Sequence, residues 1–166
     1  MLTKQERKKA SEIYLSDNFT LLELIDSANH PHLVQWPPDN IIKELKEFVL
    51  SILQPIRDVF GPIRISSGWR NPKLNSAVGG VKNSVHKIMN NGVFIGVACD
   101  IVPLKADLER VFNWAFQNCP VKTAIIYRDK KALGIRTPFV HLDTRKNRVG
   151  RAKMEKTAPK TYVYVK

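Results

Sequence analysis

The clearest hydrophobic pattern in the chain lies in residues 39–53, where apolar side chains recur every three or four positions. The repeating positions are Ile41, Ile42, Leu45, Phe48, Val49, Ile52 and Leu53. This spacing places one apolar stripe on a helix, so we predict a core helix that Asp39 caps and that Pro55 kinks or restarts. The same kind of pattern predicts a second core helix over residues 106–118.

Charge and capping residues predict three further helices that lack a strong apolar stripe. Residues 3–15 are highly charged and are predicted as a modest helix. Residues 20–23 have the spacing of a capping box, which begins a short helix that ends near Ser27. Residues 71–72 can begin another short helix, and the glycine pair at 79–80 ends it.

Short alternating or apolar runs predict strands, and most of them lie in the second half of the chain. The predicted strands are 63–65, 97–102, 123–127, 139–143 and an edge strand at 161–165. Because helices come first and strands gather later, we predict an α+β fold in which helices pack on one mainly antiparallel sheet. A length of 166 residues is sufficient for a single domain over 1–166 with its own hydrophobic core.

The net charge of +12 and the isoelectric point near 9.9 indicate an anionic partner. Nucleic acid, an acidic lipid surface and the polyanionic bacterial envelope all fit such a charge. The excess is concentrated in a basic C-terminal segment, residues 145–166, which holds eight basic residues and one acidic residue. This segment is either a solvated tail or a tether to an anionic polymer. No recognised nucleic-acid-binding module accompanies it, so we expect no specific nucleic-acid partner.

Neither a membrane span nor a secretory signal is expected from the sequence. No apolar run approaches the roughly 20 residues that cross a bilayer. The charged N-terminal residues are not followed by the apolar region of a signal peptide. We therefore expect a protein that is made in the cytoplasm and reaches any target outside it by another route. The oligomeric state stays open.

Two histidines and one aspartate form the candidate site. His86, Asp100 and His141 each lie at or beside a predicted strand end, where side chains are held rigidly. Two imidazoles and a carboxylate are the three protein ligands that a catalytic zinc needs, with the fourth position left for water. The alternative is structural, with the histidines in the core and Asp100 as a buried ion-pair partner. No HExxH helix is present, which excludes a thermolysin-type site.

Other residues of metal-binding type are interpreted as structural. Cys99 and Cys119 are too few for a disulfide framework. Cys99 adjoins Asp100, and because neighbours on a strand point to opposite faces, we expect Cys99 to face the core. His30 and His32 lie in a proline-flanked loop and are expected to be bystanders.

Five segments carry motifs in a fixed order, namely residues 18–24, 65–72, 74–86, 96–101 and 139–143. Residues 65–72 are similar to an S-G-[YW]-R-x-P motif, residues 84–86 to S-x-H, and residues 96–101 to G-x-A-x-D-[IVL]. With these motifs the chain resembles peptidase family M15, the zinc D-Ala-D-Ala carboxypeptidases and murein endopeptidases, and particularly their small phage and bacterial members.

The resemblance implies a fold, a reaction and a set of residues. It implies the architecture shared by D-Ala-D-Ala peptidases and hedgehog signalling domains, with zinc held by His86, Asp100 and His141. It implies that Arg70 binds a substrate carboxylate or steadies the oxyanion, and a planar guanidinium suits both tasks. The expected reaction is hydrolysis, at a terminal or an internal bond, of the peptidoglycan stem peptide, in cell-wall lysis or remodelling, including as a phage endolysin. The alternative is a catalytically silent zinc-binding domain of the same fold, which binds the cell wall or a partner.

The chain departs from the family pattern at two places. Thirteen residues separate His86 from Asp100, more than the family usually has, and we interpret residues 89–95 as an inserted hairpin beside the cleft. The glutamate or histidine that many relatives place shortly before the last ligand is also missing. The nearest carboxylate is Asp143, which either assists the proton transfer or orients a ligand imidazole. Tyr127 and Asp129 are weaker candidates for proton transfer.

Overall fold

The structure is a computed structural model, which describes residues 1–128, 137–146, 148, 150–158 and 161–165. Its strands, in chain order, are β1 Tyr14–Ser16, β2 Phe19–Thr20, β3 Ile63–Ser67, β4 Met89–Asn90, β5 Val93–Phe94, β6 Ala98–Pro103, β7 Thr123–Tyr127, β8 Phe139–Asp143, β9 Ala152–Ala158 and β10 Thr161–Tyr164. Its α-helices are α1 Lys4–Glu12, α2 Leu21–Ile25, α3 Asp39–Phe48, α4 Gln54–Phe60, α5 Pro72–Ala77 and α6 Leu108–Asn118.

A six-stranded sheet lies at the centre of the fold, in the strand order β10-β9-β7-β8-β6-β3. Neighbouring strands are antiparallel, except that β9 runs parallel to β7. Helices pack against this sheet, and together they confirm the predicted α+β fold with one mainly antiparallel sheet. Two small sheets, β1 with β2 and β4 with β5, complete the strand pairing of the described residues.

The predicted core helix is continuous in space but changes its winding near Pro55. A π-helical segment, Val49–Leu53, joins α3 to α4, and Pro55 lies in the first turn of α4. Proline lacks the backbone N–H of a helix interior but is tolerated in a first turn, so the predicted restart at Pro55 is confirmed. The predicted cap was wrong, because Pro38 is the capping residue and Asp39 is already helical. The carbonyl of Pro38 accepts hydrogen bonds from the N–H groups of Ile41 and Ile42.

The N-terminal region corrects the helix predicted over residues 3–15. This helix ends at Glu12, and the chain then forms β1, which pairs with β2. The pairing places Leu15 and Phe19 in the core, so burial of these side chains outweighs any tendency of the segment to stay helical. The capping box at residues 20–23 is present as predicted, but α2 ends at Ile25 instead of near Ser27.

One face of the sheet forms the main hydrophobic core, and the other carries the candidate site together with a small apolar cluster of Ile125, Ala152 and Met154. Cys99 and Ile101 of β6, and Val140 and Leu142 of β8, point inward and pack with the stripe of α3 and the inner side of α6. Alternation along a strand then turns Asp100 to the opposite face. This face is called the site face below. Cys99 lies wholly in the core as predicted, and neither cysteine forms a disulfide.

The two segments singled out beside the candidate site both form hairpins. Strands β4 and β5 lie within residues 89–95, and Asn91 and Gly92 between them have φ of +48° and +76°. Asparagine and glycine tolerate this backbone region, which the two-residue turn of a hairpin requires. The basic segment 145–166 is not simply a tail, because β9 and β10 extend the sheet from it. The edge strand predicted at 161–165 is β10, whereas β9 was not predicted.

Among the described residues, no helix has both the length and the apolar character to span a membrane.

Candidate metal centre

Three side chains from separate parts of the chain meet at one point of the site face. His86 follows α5 in a short 3-10 turn, Asp100 lies in β6, and His141 lies directly beside Asp100 in β8. One ligand-type atom from each of the three lies within 4.8 Å of the other two. Asp100 Oδ1 is the centre of the group, at 2.7 Å from His141 Nδ1 and 3.5 Å from His86 Nε2. The convergence that the motifs predicted is therefore present in the fold.

His86 is oriented by backbone contacts between two motif segments. Its Nδ1 donates a hydrogen bond to the carbonyl of Gly68 at 2.8 Å, which leaves Nε2 facing Asp100. In return, the N–H of Arg70 donates to the carbonyl of His86 at 2.9 Å. These two hydrogen bonds hold residues 65–72 and 84–86 together, so both motif segments position the His86 imidazole.

Gly68 lies where the site meets the N-terminal part of the fold. A Cβ atom at this position would lie 2.2 Å from the carbonyl oxygen of Leu24, so only glycine fits. The neighbouring N–H of Trp69 donates to that same carbonyl at 2.7 Å. The end of α2 thus fixes the position of the backbone that holds His86.

His141 lies between two carboxylates. Its Nδ1 faces Asp100, and its Nε2 donates to Asp143 Oδ2 at 3.2 Å. Asp143 has no solvent exposure and also accepts hydrogen bonds from the backbone and the guanidinium of Arg145, with Arg145 Nε at 2.9 Å from Asp143 Oδ2. Asp143 is therefore engaged on several sides, which supports the orienting role considered for it. Arg145 was missed in the sequence, although its position two residues after Asp143 at a strand end was a usable signal.

Arg70 supplies the cation next to the three residues. Its Nε donates to the hydroxyl of Ser67 at 2.9 Å, and one terminal nitrogen lies 3.5 Å from Asp100 Oδ2. The side chain is largely buried, and burial lowers the pKa of Arg70 while Asp100 acts against that shift. The guanidinium is thus held at the edge of the site, as expected for a residue that contacts bound negative charge.

The charges of the site shift the pKa values of its members in opposite directions. Burial lowers the pKa of His86, and the charge of Asp100 opposes this only in part. Burial also acts to lower the pKa of His141, but hydrogen bonds to Asp100 and Asp143 outweigh it and raise this pKa to about 9. The pKa of Asp100 falls below its ordinary range, because the charge of His86 and the hydrogen bond from His141 outweigh burial. Burial also acts to raise the pKa of Asp143, but its hydrogen bonds to His141 and Arg145 outweigh burial and lower this pKa.

The comparisons with known proteins agree with this geometry. The profile of the family described as Peptidase M15 matches residues 18–143, which include all three converging residues and Arg70. The chain belongs to peptidase family M15. No curated protein matches the chain closely enough to narrow this assignment. The sequence motifs had indicated the same family over nearly the same residues.

The three converging residues of this M15 peptidase fit a zinc ion in donor type and orientation. Zinc binds imidazole nitrogen and carboxylate oxygen, commonly with three protein ligands in catalytic sites. The outer nitrogens, His86 Nδ1 and His141 Nε2, are both occupied by acceptors, Gly68 and Asp143. Such outer partners fix which nitrogen faces the ion and are typical of zinc sites. His86 Nε2 and His141 Nδ1 are therefore the nitrogens that face Asp100 and would serve as ligand atoms.

A cleft of about 390 Å³ lies beside the candidate metal centre of the peptidase and adjoins it at Ser67 and Arg70. Its other walls include Arg64 and Ser66 of β3, Trp69, and residues 26–29 after α2. None of the three converging side chains lines this cleft, so it adjoins the centre without containing it. Strand β3 is the edge strand next to β6, so the cleft lies at the edge of the sheet nearest to the three converging residues.

The remaining candidates from the sequence fall outside the centre or outside the described residues. His30 and His32 contact each other in the loop before α3 and do not join the group. Tyr127 lies on the site face, where its hydroxyl is 3.5 Å from that of Tyr162. Burial and the contact with Tyr162 raise the pKa of Tyr127, so it stays protonated at neutral pH. Asp129 lies outside the residues that the structure describes.

Proposed function

We propose that this peptidase uses zinc, held by His86, Asp100 and His141, to hydrolyse peptide bonds in the stem peptide of bacterial peptidoglycan. The observation that carries the proposal is the approach of three ligand-type atoms to within 4.8 Å of one another. Peptidases of family M15 are generally zinc-dependent, which agrees with this donor set. Zinc, when bound, lowers the pKa of a coordinated water molecule from 15.7 to about 7 and polarises a carbonyl group.

Arg70 is the residue that this proposal assigns to the negative charge of the substrate. It stands at the boundary between the cleft and the centre, where a peptide that occupies both would place its scissile carbonyl. A fixed cation beside a carbonyl that becomes negatively charged stabilises the transition state, typically by several kcal/mol. Ser67 keeps the guanidinium in place through its hydrogen bond to Arg70 Nε.

Asp143 is assigned to the orientation of His141, together with Arg145. Its complete burial and its hydrogen bonds to Arg145 and His141 support this role over proton transfer. Tyr127, which is protonated at neutral pH, can donate a proton but cannot accept one there.

The peptidoglycan substrate is supported by family membership and charge. A net charge of +12 favours a polyanionic envelope, and Arg64 and Arg70 give the cleft two groups that suit stem-peptide carboxylates. We include in the proposal a role in lysis or remodelling of the cell wall, and a phage endolysin is one such setting. The expected site of action is the wall.

The test is hydrolysis of purified peptidoglycan by the zinc-loaded protein. The wild type is expected to release new amino groups, and His141→Ala is expected to abolish the release. His32→Ala is the matched control, since His32 is exposed and lies outside the centre. Mass spectrometry of the released fragments identifies the cleaved bond and separates a terminal from an internal cut. Equal release by the wild type and His141→Ala would end the proposal.

The alternative function is a zinc-binding domain without catalysis, and one observation favours it. The family's usual proton acceptor before the last ligand is missing, and Asp143 is occupied by Arg145 and His141. Stoichiometric zinc in the wild type, together with intact peptidoglycan after prolonged incubation, would establish this alternative.

A further inference from the structure

The C-terminal hairpin, β9 with β10, extends the site face beyond the part of the chain that matches the family. The family match ends at residue 143, and β9 begins at residue 152. Because β9 pairs with β7, the hairpin is joined to the same sheet as the candidate metal centre. A segment that the sequence indicated as a basic tail or tether is therefore placed next to the site.

The strand register brings the hairpin and the centre into one transverse row. Asp100 pairs with His141, His141 with Ile125, Ile125 with Met154, and Met154 with Tyr164. Paired residues of adjacent strands point to the same face, so all five side chains lie on the site face. Neighbouring strands are about 4.8 Å apart, which puts Tyr164 roughly 14 Å from His141 along the row.

The next row of the site face is aromatic. Phe139 pairs with Tyr127, and their rings stack with centroids 4.2 Å apart. Tyr162 continues the row at the outer edge, with its hydroxyl 3.5 Å from that of Tyr127. Lys156 pairs with Tyr162, and its Nζ lies 4.4 Å from the centre of the Tyr162 ring. Tyr127, Lys156, Tyr162 and Tyr164 are called the hairpin surface below.

The outer part of the hairpin surface, formed by Tyr162 and Tyr164, is exposed to solvent. Tyr162 is 41% exposed and Tyr164 is 71% exposed. Exposed aromatic groups that adjoin a functional centre are typical of binding surfaces, because they bury a large apolar area with little loss of side-chain freedom. The ammonium of Lys156 adds a positive charge at the same place. A ligand for this surface must combine flat apolar faces with negative charge.

Charge decides between the possible occupants. A second copy of the chain would bring another +12 toward a segment that itself has eight basic residues and one acidic residue, so pairing of two β10 edges is opposed. A glycan strand of peptidoglycan presents pyranose rings, whose C–H faces stack on aromatic rings, and lactyl carboxylates where the stem peptide is absent. This chemistry complements both the tyrosines and Lys156.

We propose that the hairpin surface binds the glycan strand of the peptidoglycan whose stem peptide enters the candidate metal centre. This inference rests on the proposed function for its substrate, and the geometry agrees with the dimensions of that polymer. An extended stem of three to five residues spans about 10–18 Å, which matches the roughly 14 Å between His141 and Tyr164. The glycan can therefore lie on the hairpin while its own peptide reaches the centre.

The first experiment measures binding without catalysis. Metal-free protein is titrated with peptide-free glycan strands, prepared by amidase digestion of peptidoglycan, and binding is followed by calorimetry. Tyr164→Ala and Tyr162→Ala are each expected to weaken binding by about fivefold or more, the usual cost of removing a central aromatic contact. Tyr14→Ala is the control, since Tyr14 is 64% exposed on β1, away from the six-stranded sheet. It is expected to bind as the wild type does.

Several results of this titration would overturn the inference. These are absence of binding by the wild type, equal binding by all variants, and loss of binding in Tyr14→Ala as well. Binding that high salt abolishes and the tyrosine variants leave unchanged would indicate charge alone, which also contradicts the proposal. A change of oligomeric state in Tyr164→Ala, seen by sedimentation velocity, would assign the surface to contacts between copies instead. None of these readouts depends on hydrolysis, so failure of the proposed function is recognised separately.

The second experiment compares two substrates of the zinc-loaded protein. One is a stem peptide attached to its disaccharide or longer glycan, and the other is the same peptide alone. The ratio of their kcat/KM values is expected to fall about fivefold in Tyr164→Ala relative to the wild type. An unchanged ratio with active enzyme would overturn the glycan contact, whereas inactivity of the wild type on both substrates would overturn the proposed function.

Discussion

The candidate metal centre and the C-terminal hairpin lie on the same face of one sheet, yet they are built in opposite ways. In the centre, His86, Asp100 and His141 are largely buried, and each has a hydrogen-bond or ion-pair partner within the protein. On the hairpin, Tyr162 and Tyr164 are exposed. The centre lies within the family match, whereas the hairpin lies beyond it.

This difference separates chemistry from recognition. Buried charges that depend on one another tolerate little change, because removing one partner leaves another uncompensated. Exposed side chains at a sheet edge tolerate exchange, so the proposed recognition surface can change without disturbing the proposed metal ligands. We expect variants of the centre to alter zinc binding strongly, and variants of the hairpin to alter it little.

Asp100→Asn is expected to have the largest effect. It removes the charge of one of the three proposed ligands, which is also the ion-pair partner of Arg70. Loss of a residue that only hydrogen-bonds a zinc ligand costs up to about 100-fold in zinc affinity, so loss of a ligand should cost more. Chelator competition measures the affinity. Asp17→Asn, at an exposed position, is the control and should bind zinc as the wild type does. An equal loss of zinc affinity in Tyr164→Ala would contradict the expectation that the hairpin does not affect zinc binding.

The stability of the metal-free protein is expected to fall as the pH rises. His141 has a pKa of about 9 in the fold against an ordinary value of 6.5, because its hydrogen bonds to two carboxylates outweigh burial. A pKa raised by folding stabilises the fold fully below the unfolded value, and this contribution is lost as the pH rises through 9. The loss is at most about 3 kcal/mol.

Urea unfolding in the presence of a chelator, at about pH 6 and about pH 10, measures this loss. His141→Gln should reduce the difference between the two pH values, and the remainder should come from Cys99 and Cys119, because burial raises the pKa of both thiols. Zinc should reverse the trend, because the ion competes with the proton for His141 and binds more tightly as the pH rises. A metal-free protein with the same midpoint at both pH values would contradict the proposed charge balance.

Asp143→Asn is expected to have an intermediate effect. The amide keeps the shape of the side chain but loses the charge that holds Arg145 and the Nε2 proton of His141. Loss of such an outer partner typically reduces zinc affinity or activity by about 10–100-fold. Asp58→Asn, whose carboxylate accepts a hydrogen bond from Gln54 far from the site, is the matched control. Complete inactivity with wild-type zinc affinity would instead assign Asp143 to proton transfer.

Lys156→Gln is expected to have the smallest effect on the folded protein. It removes the contact between Lys156 Nζ and the Tyr162 ring, which contributes about 0.5–1 kcal/mol at an exposed site. Thermal unfolding measures the change, with Lys43→Gln on the exposed side of α3 as the control. A loss of several kcal/mol, or a loss of zinc, would show that the hairpin supports the centre and does not merely adjoin it.

The parts of the fold that the sequence predicted well are those with a local cause. The stripe from Ile41 to Leu53 requires a helix, and strands 123–127 and 139–143 have the predicted bounds. The three converging residues were found through their flanking motifs, since their separation along the chain carries little information. The cap of α3 was misplaced by one residue, because the backbone carbonyl of Pro38 begins the helix and no side-chain cap is formed.

The parts that were missed depend on contacts between distant residues. The sequence of β9 is that of a charged segment without a clear strand pattern. It forms a strand because it pairs in parallel with β7. Strand β1 forms because it pairs with β2, and this pairing prevents the charged helix α1 from extending through residues 13–15 as predicted. The role of Arg145 depends on the burial of Asp143, which the spacing of the two residues along the chain indicates only weakly.

The close contact between Gly68 and Leu24 has a consequence for the design of chimeras. The end of α2 contacts the backbone that orients His86, one of the proposed ligands. The N-terminal part of the chain therefore helps to set the position of this ligand. Exchanging residues 1–30 between relatives would alter this spacing even though no proposed ligand lies there. A chimera that keeps activity should therefore inherit α2 and the loop of Gly68 from the same parent.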